Sequence, residues 1–499
     1  MLATRIAHTL SPRMSRIRVV AAAFSLFAMV ALFSVPSSAS PSQPELSNQL
    51  YLPLVQGGVE VEWFNPLSAE TLGNFIFDPT VQMRIDEIQM QWVRVSGLRW
   101  NDVQPEEGGP LLWDHPQTVN FEQFLIGAQA LGIDTTVIIQ YSPIWATVEP
   151  SHCAAIREDK MDDFANFVAA VVDRYKVPPY NVHSWELFNE PDVDPSLVGA
   201  DSGFGCWGDI DDPYYGGERY GEMLQAIAPV IRAADPTAEI VFGGLLLGAA
   251  VTTDPARGHP ERFFEGALLS GAGDSFDILG YHVHHVFLGQ FYDYGGATTS
   301  ATWNPWGGMT KGKPAFLRNV MATYNVDKPL WMNEGTLRCS PEQSLECEGG
   351  ASGAFLITQG RHVPREVSRT LGADVERFSW YTLQWSLWDE CGLLYPNHDP
   401  RPSFIAYQTF IETMEGATFP PDAVAYGGEL EAYRFHIPGQ PLVDVVFSPR
   451  GVSYYASIPV DKFVAAYNTY GLQLQPPPPI DGNYNFLVGY EAIYFHRTP

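Results

Sequence analysis

The sequence predicts a (β/α)8 barrel followed by a small antiparallel β-sandwich. Three observations predict it: strand-like and helix-like segments alternate from about residue 58 to 415, two of the strand patterns end in Asn-Glu, and the chain becomes β-rich after Phe419-Pro420-Pro421. Alternating β and α units are typical of a parallel sheet, and eight of them are typical of a barrel whose pocket lies at the carboxyl ends of the strands. We therefore expect the barrel at residues 58–416 and the sandwich at residues 417–499.

Short apolar runs that end at turn residues predict the eight barrel strands. These runs lie at residues 59–64, 92–95, 135–140, 182–188, 239–243, 276–282, 330–333 and 377–383. Helices are expected between them, among them residues 81–91, 162–175 and 220–234. The second of these has apolar residues at a 3.6-residue period, and Asp235-Pro236 ends the third. Four β-rich segments separated by Pro and Gly predict strands of the sandwich, at residues 430–435, 442–447, 453–458 and 492–496.

Composition limits the partners of this chain. Its 499 residues are 45% hydrophobic and 17% charged, which allows one large core and one small core. A net charge of −28 makes nucleic acid or an anionic membrane a poor partner. The aromatic content of 13% is typical of clefts that stack on sugar rings, and equally of apolar cores.

Residues 1–39 have the features of an export signal. Several arginines precede the apolar run of residues 19–35, and Ser37-Ser38-Ala39 offers a small-residue cleavage site. Residues 40–57 would then form an N-terminal extension. We expect the mature protein to be secreted or to stay at the cell surface. An uncleaved anchor is the alternative, because the basic leader is long.

The five cysteines fit an oxidising compartment. Cys339 and Cys347 bracket a short segment and can join it, while Cys153 and Cys206 follow the third and fourth predicted strands and can join neighbouring loops. Cys391 is then left over. Free buried thiols are the alternative, since spacing alone does not determine pairing.

The stretch His183-Ser184-Trp185-Glu186-Leu187-Phe188-Asn189-Glu190-Pro191-Asp192 predicts a buried strand that ends beside a carboxylate. Pro191 cannot donate to a sheet ladder, so Glu190 is expected at the tip of the strand. Glu186 lies four residues earlier and is expected on the same inward face, as a structural residue. The alternative for Glu190 is a surface glutamate before a helix.

The segment Lys328-Pro329-Leu330-Trp331-Met332-Asn333-Glu334-Gly335 repeats this design. Carboxyl ends of barrel strands meet at one face, so Glu190 and Glu334 are expected to face one pocket. Two such carboxyls are what cleavage of a glycosidic bond needs, because one donates a proton while the other attacks. For Glu334 the alternative is a turn residue at a strand end.

At these motifs the chain resembles retaining glycoside hydrolases of clan A, over most of residues 58–499. The segments that carry the resemblance are Trp92-Val93-Arg94-Val95, Trp100-Asn101-Asp102-Val103-Gln104-Pro105, Tyr141-Ser142-Pro143-Ile144-Trp145-Ala146, Trp185 to Asp192, Trp331 to Glu334, Gly392-Leu393-Leu394 and Arg401-Pro402-Ser403-Phe404. Within the clan, the layout is most similar to the family of β-xylosidases and α-L-iduronidases, glycoside hydrolase family 39. The sixth strand departs from that family's common His-x-Tyr form, because it contains Tyr281-His282-Val283-His284-His285.

The resemblance implies a retaining β-glycosidase that needs no cofactor and acts on a carbohydrate, in an exo manner on β-xylosides or related sugars. It implies that Glu190 is the acid/base and Glu334 the nucleophile, and that Asn189 binds the sugar 2-hydroxyl. Adjacent strand residues face opposite sides, so the strand must twist or bulge if Asn189 and Glu190 are both to reach the pocket. Arg94, a charge inside an apolar strand, is expected to hold Glu334 ionised, to pair with Glu186, or to do both.

Further sugar contacts are expected at the strand ends. Sugar hydrogen bonding is the prediction for His282 or Tyr281, with packing as the alternative. His282 and His284 share a strand face and have zinc-ligand spacing, but no third ligand is evident, so no metal site is predicted. Four aromatic residues are stacking candidates that can equally belong to the core: Trp145, Trp380, Tyr381 and Trp385. The acidic loop of residues 192–212 is predicted to be a solvated face, with calcium binding as the alternative.

Three other functions stay open at this stage. An endo-acting glycanase would use the same pair of glutamates, and the loops would decide between pocket and groove. A silent carbohydrate-binding protein on this fold would have no use for a paired acid and nucleophile. A metal-assisted hydrolase would use His282 and His284.

Overall fold

The computed structural model describes residues 63–71, 73–199, 202–289, 301–384 and 388–499, which belong to one compact unit. The predicted export signal, the N-terminal extension and the stacking candidate Trp385 lie outside the described residues. Within those ranges, no helix combines the length and the apolar character needed to cross a bilayer.

Eight parallel strands form the larger part of the fold. They are β1 (Leu67–Ala69), β2 (Trp92–Arg99), β3 (Asp134–Gln140), β4 (Ser184–Leu187), β5 (Glu239–Leu245), β6 (Ile278–Val286), β7 (Leu330–Arg338) and β8 (Arg377–Trp380). Their hydrogen-bonded order is β1-β8-β7-β6-β5-β4-β3-β2, and each recorded pairing is parallel. The Ser68 hydroxyl of β1 donates to the Trp92 carbonyl of β2, so the two ends of this series face each other. The predicted barrel is confirmed.

Helices follow most of the strands and cover the outside of the barrel. They are α1 (Pro79–Glu87), α2 (Trp100–Val103), α3 (Pro116–Ala130), α4 (Met161–Tyr175), α5 (Gly217–Ala234), α6 (Phe263–Leu269), α7 (Met309–Thr323), α8 (Gly353–Gly372) and α9 (Pro402–Met414). In α4 the predicted apolar stripe, which includes Phe164, Val168 and Val172, is fully buried against the barrel. The 3.6-residue period thus identified the packed face correctly.

The C-terminal strands form two antiparallel sheets. They are β9 (Thr418–Ala423), β10 (Glu431–His436), β11 (Leu442–Phe447), β12 (Tyr454–Pro459), β13 (Phe463–Asn468), β14 (Asn483–Val488) and β15 (Ile493–Arg497). One sheet has the order β13-β15-β11-β10-β9 and the other pairs β12 with β14. Val446 and Phe495 of the first sheet share a buried core with Ile458 and Phe486 of the second, which confirms the predicted sandwich.

The sandwich is held against the barrel by α8. Arg365 on this helix donates to the carbonyls of Ser448 and Pro449, at 2.9 and 3.1 Å. Arg369, one turn further on, forms an ion pair with Glu431 of β10 at 2.8 Å. Because both guanidinium groups are buried, these contacts fix the orientation of the small sheet pair.

Strand predictions failed mainly where the sequence signal was weak. The first strand was predicted at residues 59–64, but Trp63 and Phe64 are not in a strand and β1 is Leu67–Ala69; residues 59–62 lie outside the described ranges. A three-residue parallel strand buried on both sides has no alternation by which to recognise it. In the sandwich, β9, β13 and β14 were missed. The Pro420-Pro421 pair in β9 argues against a strand in sequence, yet β9 is an edge strand, where proline is tolerated.

Both predicted cysteine pairs form disulfides, Cys153–Cys206 and Cys339–Cys347, and Cys391 is a buried free thiol. The first disulfide joins the loop after β3 to the loop after β4. The second closes a short loop after β7. Each therefore braces loops at the carboxyl face of the barrel.

Candidate active site

Glu190 lies three residues beyond the end of β4, on backbone that has left the extended conformation. Phe188 and Glu190 both have positive φ, at 64° and 46°, and the Glu190 amide donates to the Gly244 carbonyl at 3.0 Å. These two left-handed residues turn the chain so that the side chains of Asn189 and Glu190 both line one cavity. The twist expected for Asn189 and Glu190 both to reach the pocket is thus present just after β4.

Glu334 is positioned differently, because it lies inside β7. Its strand pairs with β6, where His282 is its register partner. The side chain is buried and lines the same cavity as Glu190. The backbone pairing of β6 with β7 therefore fixes the position of this carboxylate.

The two carboxyls face each other across the cavity floor. His282 Nδ1 lies 2.7 Å from Glu190 Oε1 and 3.7 Å from Glu334 Oε2, so those two oxygens are separated by at most the sum of these distances. The prediction that the two glutamates meet across one cavity is confirmed.

The described part of the cavity has a volume of about 780 Å³. Charged and polar groups dominate its floor, and aromatic rings form part of its wall. The residues that line it include Glu70, Arg94, Ser96, Gln140, Tyr141, Asn189, Glu190, Arg257, His284, Lys313, Glu334, Arg338, Tyr381 and Trp388.

The two glutamates differ in charge state. Burial and the nearby Glu334 carboxylate raise the pKa of Glu190 to about 8. The pKa of Glu334 is lowered far below its ordinary value, because His282, Arg94 and His284 together outweigh the effect of burial. At neutral pH the site therefore holds one protonated carboxyl facing one carboxylate.

Arg94 joins the groups on the cavity floor. It donates to Glu334 Oε1, to Asn189 Oδ1 at 2.6 Å, and to both oxygens of Glu186 at 2.7 and 2.8 Å. The Glu186 carboxylate also accepts from the Gly244 amide and from Asn333 Nδ2, both at 2.9 Å. Both proposed roles of Arg94 thus occur together, and Glu186 is the buried structural residue that the strand period predicted.

Asn189 is half-buried at the cavity wall. Its Oδ1 accepts from Arg94, while its Nδ2 donates to the Gly203 carbonyl at 3.1 Å. The amide is therefore held in one orientation beside both glutamates.

The three candidate residues of the sixth strand, Tyr281, His282 and His284, have side chains on two sides of the barrel wall. His282 and His284 face the inside, where His284 lines the cavity and His282 lies beneath Glu190. Tyr281 was predicted as a sugar contact, but its side chain is fully buried in the core between barrel and helices. Strand alternation explains the correction, since neighbours in a strand face opposite sides. Burial lowers the pKa of His282 to about 4, so its ring is neutral at pH 7.

The aromatic predictions were mixed. Tyr381 lines the cavity, together with Trp388, which the sequence analysis missed. Trp380 was predicted as a stacking residue but is fully buried, with Nε1 donating to the Cys391 carbonyl at 2.9 Å. Trp145 does not line the cavity; its ring packs edge-on against Trp100 with centroids 5.3 Å apart. Trp380 therefore belongs to the core, and Trp145 packs against the core from a partly buried position, although both lie near strand ends.

The sequence analysis missed several ionisable residues that line the cavity, among them Glu70 and Lys313. Glu70 follows β1 directly, is buried, and has Oε2 3.5 Å from Arg94 Nη1; burial and the Glu334 charge raise its pKa to about 8. Lys313 of α7 donates to the carbonyls of His282 and Leu246 at 2.6 and 2.8 Å, and burial lowers its pKa to about 8. The first could have been found as the polar residue after a strand, had β1 been placed correctly. The second lies on a helix and gives no such signal.

The acidic loop is not simply a solvated face. Asp192 is buried and accepts from the amides of Leu246 and Leu247 at 2.8 and 2.7 Å, and Asp194 accepts from the Ile210 amide at 2.7 Å. These carboxylates replace missing backbone partners of the loop. Among the described residues of this loop, no group of acidic side chains has the spacing of a metal site.

A third potential metal ligand does accompany the two inward histidines. Ligand atoms of Glu190, His282 and His284 all lie within 4.8 Å of one another. This third ligand could not be recognised in the sequence, because Glu190 is far from both histidines along the chain. A second group of this kind, His285, His362 and Glu366, is buried between β6 and α8.

No protein-family model and no curated protein matches this chain. Among solved structures, the fold is similar to that of a family 39 glycoside hydrolase from the gut symbiont Bacteroides cellulosilyticus WH2, with a TM-score of 0.62 and 16% identity over 87% of this chain and 81% of the other. A family 30 subfamily 8 xylanase from Clostridium acetobutylicum gives 0.56, with 12% identity over 87% and 96%. A family 39 β-xylosidase from Caulobacter crescentus gives 0.54, with 14% identity over 88% and 97%. At these identities the likeness establishes the fold, which is the one that the resemblance to clan A predicted.

Proposed function

We propose that the protein is a retaining β-glycosidase that cleaves O-glycosidic bonds with Glu190 and Glu334. The observation that carries the proposal is the pair of buried carboxyls, close together in one cavity, whose pKa values are shifted in opposite directions. A carboxyl that keeps its proton at pH 7 is a general acid, and a neighbouring carboxylate is a nucleophile. No cofactor enters this chemistry.

In the first step, Glu190 gives its proton to the departing glycosidic oxygen while Glu334 attacks the anomeric carbon. Arg94 donates to Glu334 Oε1 and keeps the nucleophile ionised before the attack. His282 holds Glu190 through the contact with Oε1, so the other oxygen of Glu190 stays available to the leaving group. The product of this step is a glycosyl ester of Glu334.

In the second step, water replaces the leaving group. Glu190, now a carboxylate, takes a proton from this water, which attacks the anomeric carbon and releases Glu334. Attack from opposite faces in the two steps restores the original configuration. The position of His282 Nδ1, within 3.7 Å of oxygens of both carboxyls, supports this route, since the inverting route needs space for a water molecule between them.

For the substrate, we propose exo-action on β-xylosides or related sugars. Asn189 would bind the 2-hydroxyl, because its amide is fixed beside both glutamates. Tyr381 and Trp388 offer ring faces and edges at the cavity wall. The names of a β-xylosidase and a xylanase among the similar structures agree with a pentose-containing substrate.

Endo-action is the second candidate, and a specific observation favours it. A second cavity of about 420 Å³ shares Phe204, Leu246, Gly248 and Arg257 with the lining of the first. Together the two can receive a longer chain than a single pocket can. Product analysis on a xylan and on aryl β-xylosides separates the two modes, since an exo-enzyme releases only single sugars.

We also propose that the protein acts outside the cytoplasm. The two disulfides support this location, because such bonds persist in oxidising compartments. A silent binding protein fits the site less well, since binding alone gives no reason to bury an acid and a carboxylate side by side.

The test is incubation with a panel of 2-fluoro β-glycosides followed by peptide mass spectrometry. A retaining enzyme traps the glycosyl ester, so we expect one label, on Glu334, from the preferred sugar. The matched control is Glu334→Gln, which should take up no label. A label on any other side chain would overturn the assignment of the nucleophile.

A further inference from the structure

Four ligand atoms surround one point on the cavity floor. His282 Nδ1 lies 2.7 Å from Glu190 Oε1 and 3.7 Å from Glu334 Oε2. His284 Nε2 lies 3.9 Å from Glu190 Oε1 and 3.4 Å from Glu334 Oε2. Each imidazole nitrogen thus faces both carboxylates, and the four atoms form a closed ring.

Some of these separations are close to those of a tetrahedral metal site. Bonds of about 2.0–2.1 Å from Zn²⁺ to nitrogen and oxygen place neighbouring ligand atoms about 3.3 Å apart. Ligand atoms of Glu190, His282 and His284 all lie within 4.8 Å of one another, so these three residues need to close only modestly to reach that spacing. We propose that Glu190, His282 and His284 bind a divalent transition-metal ion, foremost Zn²⁺, beside Glu334, and that this ion reversibly inhibits the glycosidase activity proposed above.

The ligand set determines which ions fit. Two imidazole nitrogens and a carboxylate oxygen suit Zn²⁺ and Cu²⁺, whereas Mg²⁺ and Ca²⁺ prefer oxygen ligands at higher coordination numbers. The ion can reach the site, because Glu190, His284 and Glu334 line the cavity. Arg94 donates to Oε1 of Glu334, while Oε2 faces the two imidazole nitrogens.

The same arrangement makes the ion an inhibitor of a reaction in which Glu190 must carry a proton. A carboxylate that binds the ion cannot hold that proton, because metal ligands are deprotonated. The ion would also lie beside the nucleophile, since Glu334 Oε2 is 3.4 Å from His284 Nε2. It therefore competes with the substrate for the cavity floor.

The second group of two histidines and a glutamate serves as an internal comparison. In that group the Thr310 hydroxyl lies between the ligand atoms, donating to Glu366 Oε2 at 2.8 Å and lying 3.0 Å from His285 Nε2. The group is fully buried, and burial lowers the pKa of His362. The Thr310 hydroxyl between its ligand atoms makes this group a poor metal site, although its residue types are the same.

The experiment titrates Co²⁺, a spectroscopic probe for Zn²⁺, into chelator-treated full-length protein. We expect one equivalent to give the intense visible absorption of four-coordinate cobalt, and Zn²⁺ to displace it, while Mg²⁺ and Ca²⁺ do not. His284→Gln should remove the absorption and weaken Zn²⁺ binding by at least about ten- to a hundredfold, the loss that even outer partners of metal ligands cause. Circular dichroism and the melting temperature check the fold, with His284→Asn as a second truncation.

Two controls identify the site. His362→Gln, in the second group, and His436→Gln, on the surface, should both keep the cobalt spectrum. Absence of the absorption from the wild type, or its loss in His362→Gln with retention in His284→Gln, would overturn the proposal.

The inhibitory role rests on the proposed function and is tested separately. With an aryl β-glycoside that the protein hydrolyses, Zn²⁺ should raise KM and leave kcat unchanged, and a chelator should restore KM. Metal binding without inhibition would refute the inhibitory role. If no glycoside is hydrolysed, the proposed function fails, while the cobalt spectrum still decides the metal site.

Discussion

Glu190 and Glu334 are the two most similar residues of the site, and comparing them shows what controls the pKa of a buried carboxyl. Both are nearly fully buried, with 5% and 7% of their surface exposed, and both face the same two histidines. Yet the pKa of the first is raised and that of the second is lowered. Of the two, Glu334 accepts a hydrogen bond from Arg94. Burial raises the pKa of both, so the neighbours decide the sign: His282, Arg94 and His284 lower the pKa of Glu334, whereas the Glu334 carboxylate raises that of Glu190 further.

The backbone differs between them as well. Glu334 lies within a nine-residue strand, whereas Glu190 follows a four-residue strand on a turn with two left-handed residues. The nucleophile must keep one position, while the acid/base must serve a leaving group and then a water molecule. We interpret the turn as the means of aiming Glu190 and Asn189 into the same cavity.

The largest expected effect comes from Glu334→Gln. Without the nucleophile no glycosyl ester forms, so kcat should fall by about 10⁵–10⁶-fold, as for other covalent nucleophiles. Steady-state hydrolysis of an aryl β-glycoside measures it, with the exposed Glu342→Gln as the control. A loss below about a hundredfold would mean that the roles of the two glutamates are not as assigned.

Glu190→Gln should cost less, about 10²–10⁴-fold, which is the usual contribution of a general acid or base. The loss should depend on the leaving group, because a good leaving group departs without a proton. A series of aryl glycosides of decreasing leaving-group pKa should therefore show a shrinking defect in the first step. An equal defect across the series would argue against Glu190 as the acid; the exposed Glu222→Gln serves as the control.

Replacing Arg94, the cation that Glu186 and Glu334 share, tests how much it stabilises these buried carboxylates. Arg94→Met leaves Glu186 and Glu334 buried without their guanidinium, so the free energy of unfolding should fall by about 3–5 kcal/mol. Chemical denaturation measures this loss. The control is Arg157→Met, which breaks an exposed ion pair with Asp159 and should change stability by less than about 1 kcal/mol. Equal effects of the two substitutions would contradict a central role of Arg94.

The pH profile should show the smallest effect. Because Glu190 must be protonated, kcat/KM should fall about tenfold per pH unit above its pKa of about 8. Because the pKa of Glu334 is lowered, activity should persist below about pH 4.3, the ordinary pKa of a glutamate. Initial rates at low substrate concentration give both limbs. A basic limb near pH 5 would contradict the protonated state proposed for Glu190.

Sequence reasoning worked best where a local pattern has a direct structural consequence. Period-3.6 apolar residues identified α4, Pro191 located the end of the strand near Glu190, and the Asn-Glu repeat located Glu334. It failed where a residue that faces the cavity and a residue that faces the core occur in the same sequence pattern. Tyr281 lies inside β6 and Trp380 ends β8, next to Tyr381, but alternation turns the rings of Tyr281 and Trp380 into the core. Glu70 was missed because β1 is too short to give a periodic signal.

By itself, the sequence predicted the barrel, the sandwich and the two glutamates, because each follows from spacing along the chain or from a motif within a few residues. Only the tertiary structure decided the cysteine pairing, the charge states of the glutamates and the grouping of Glu190 with His282 and His284. Those properties depend on burial and on distances between residues about 90 or more positions apart, such as the 2.7 Å contact of Glu190 with His282. Such distances exist only once the barrel has closed.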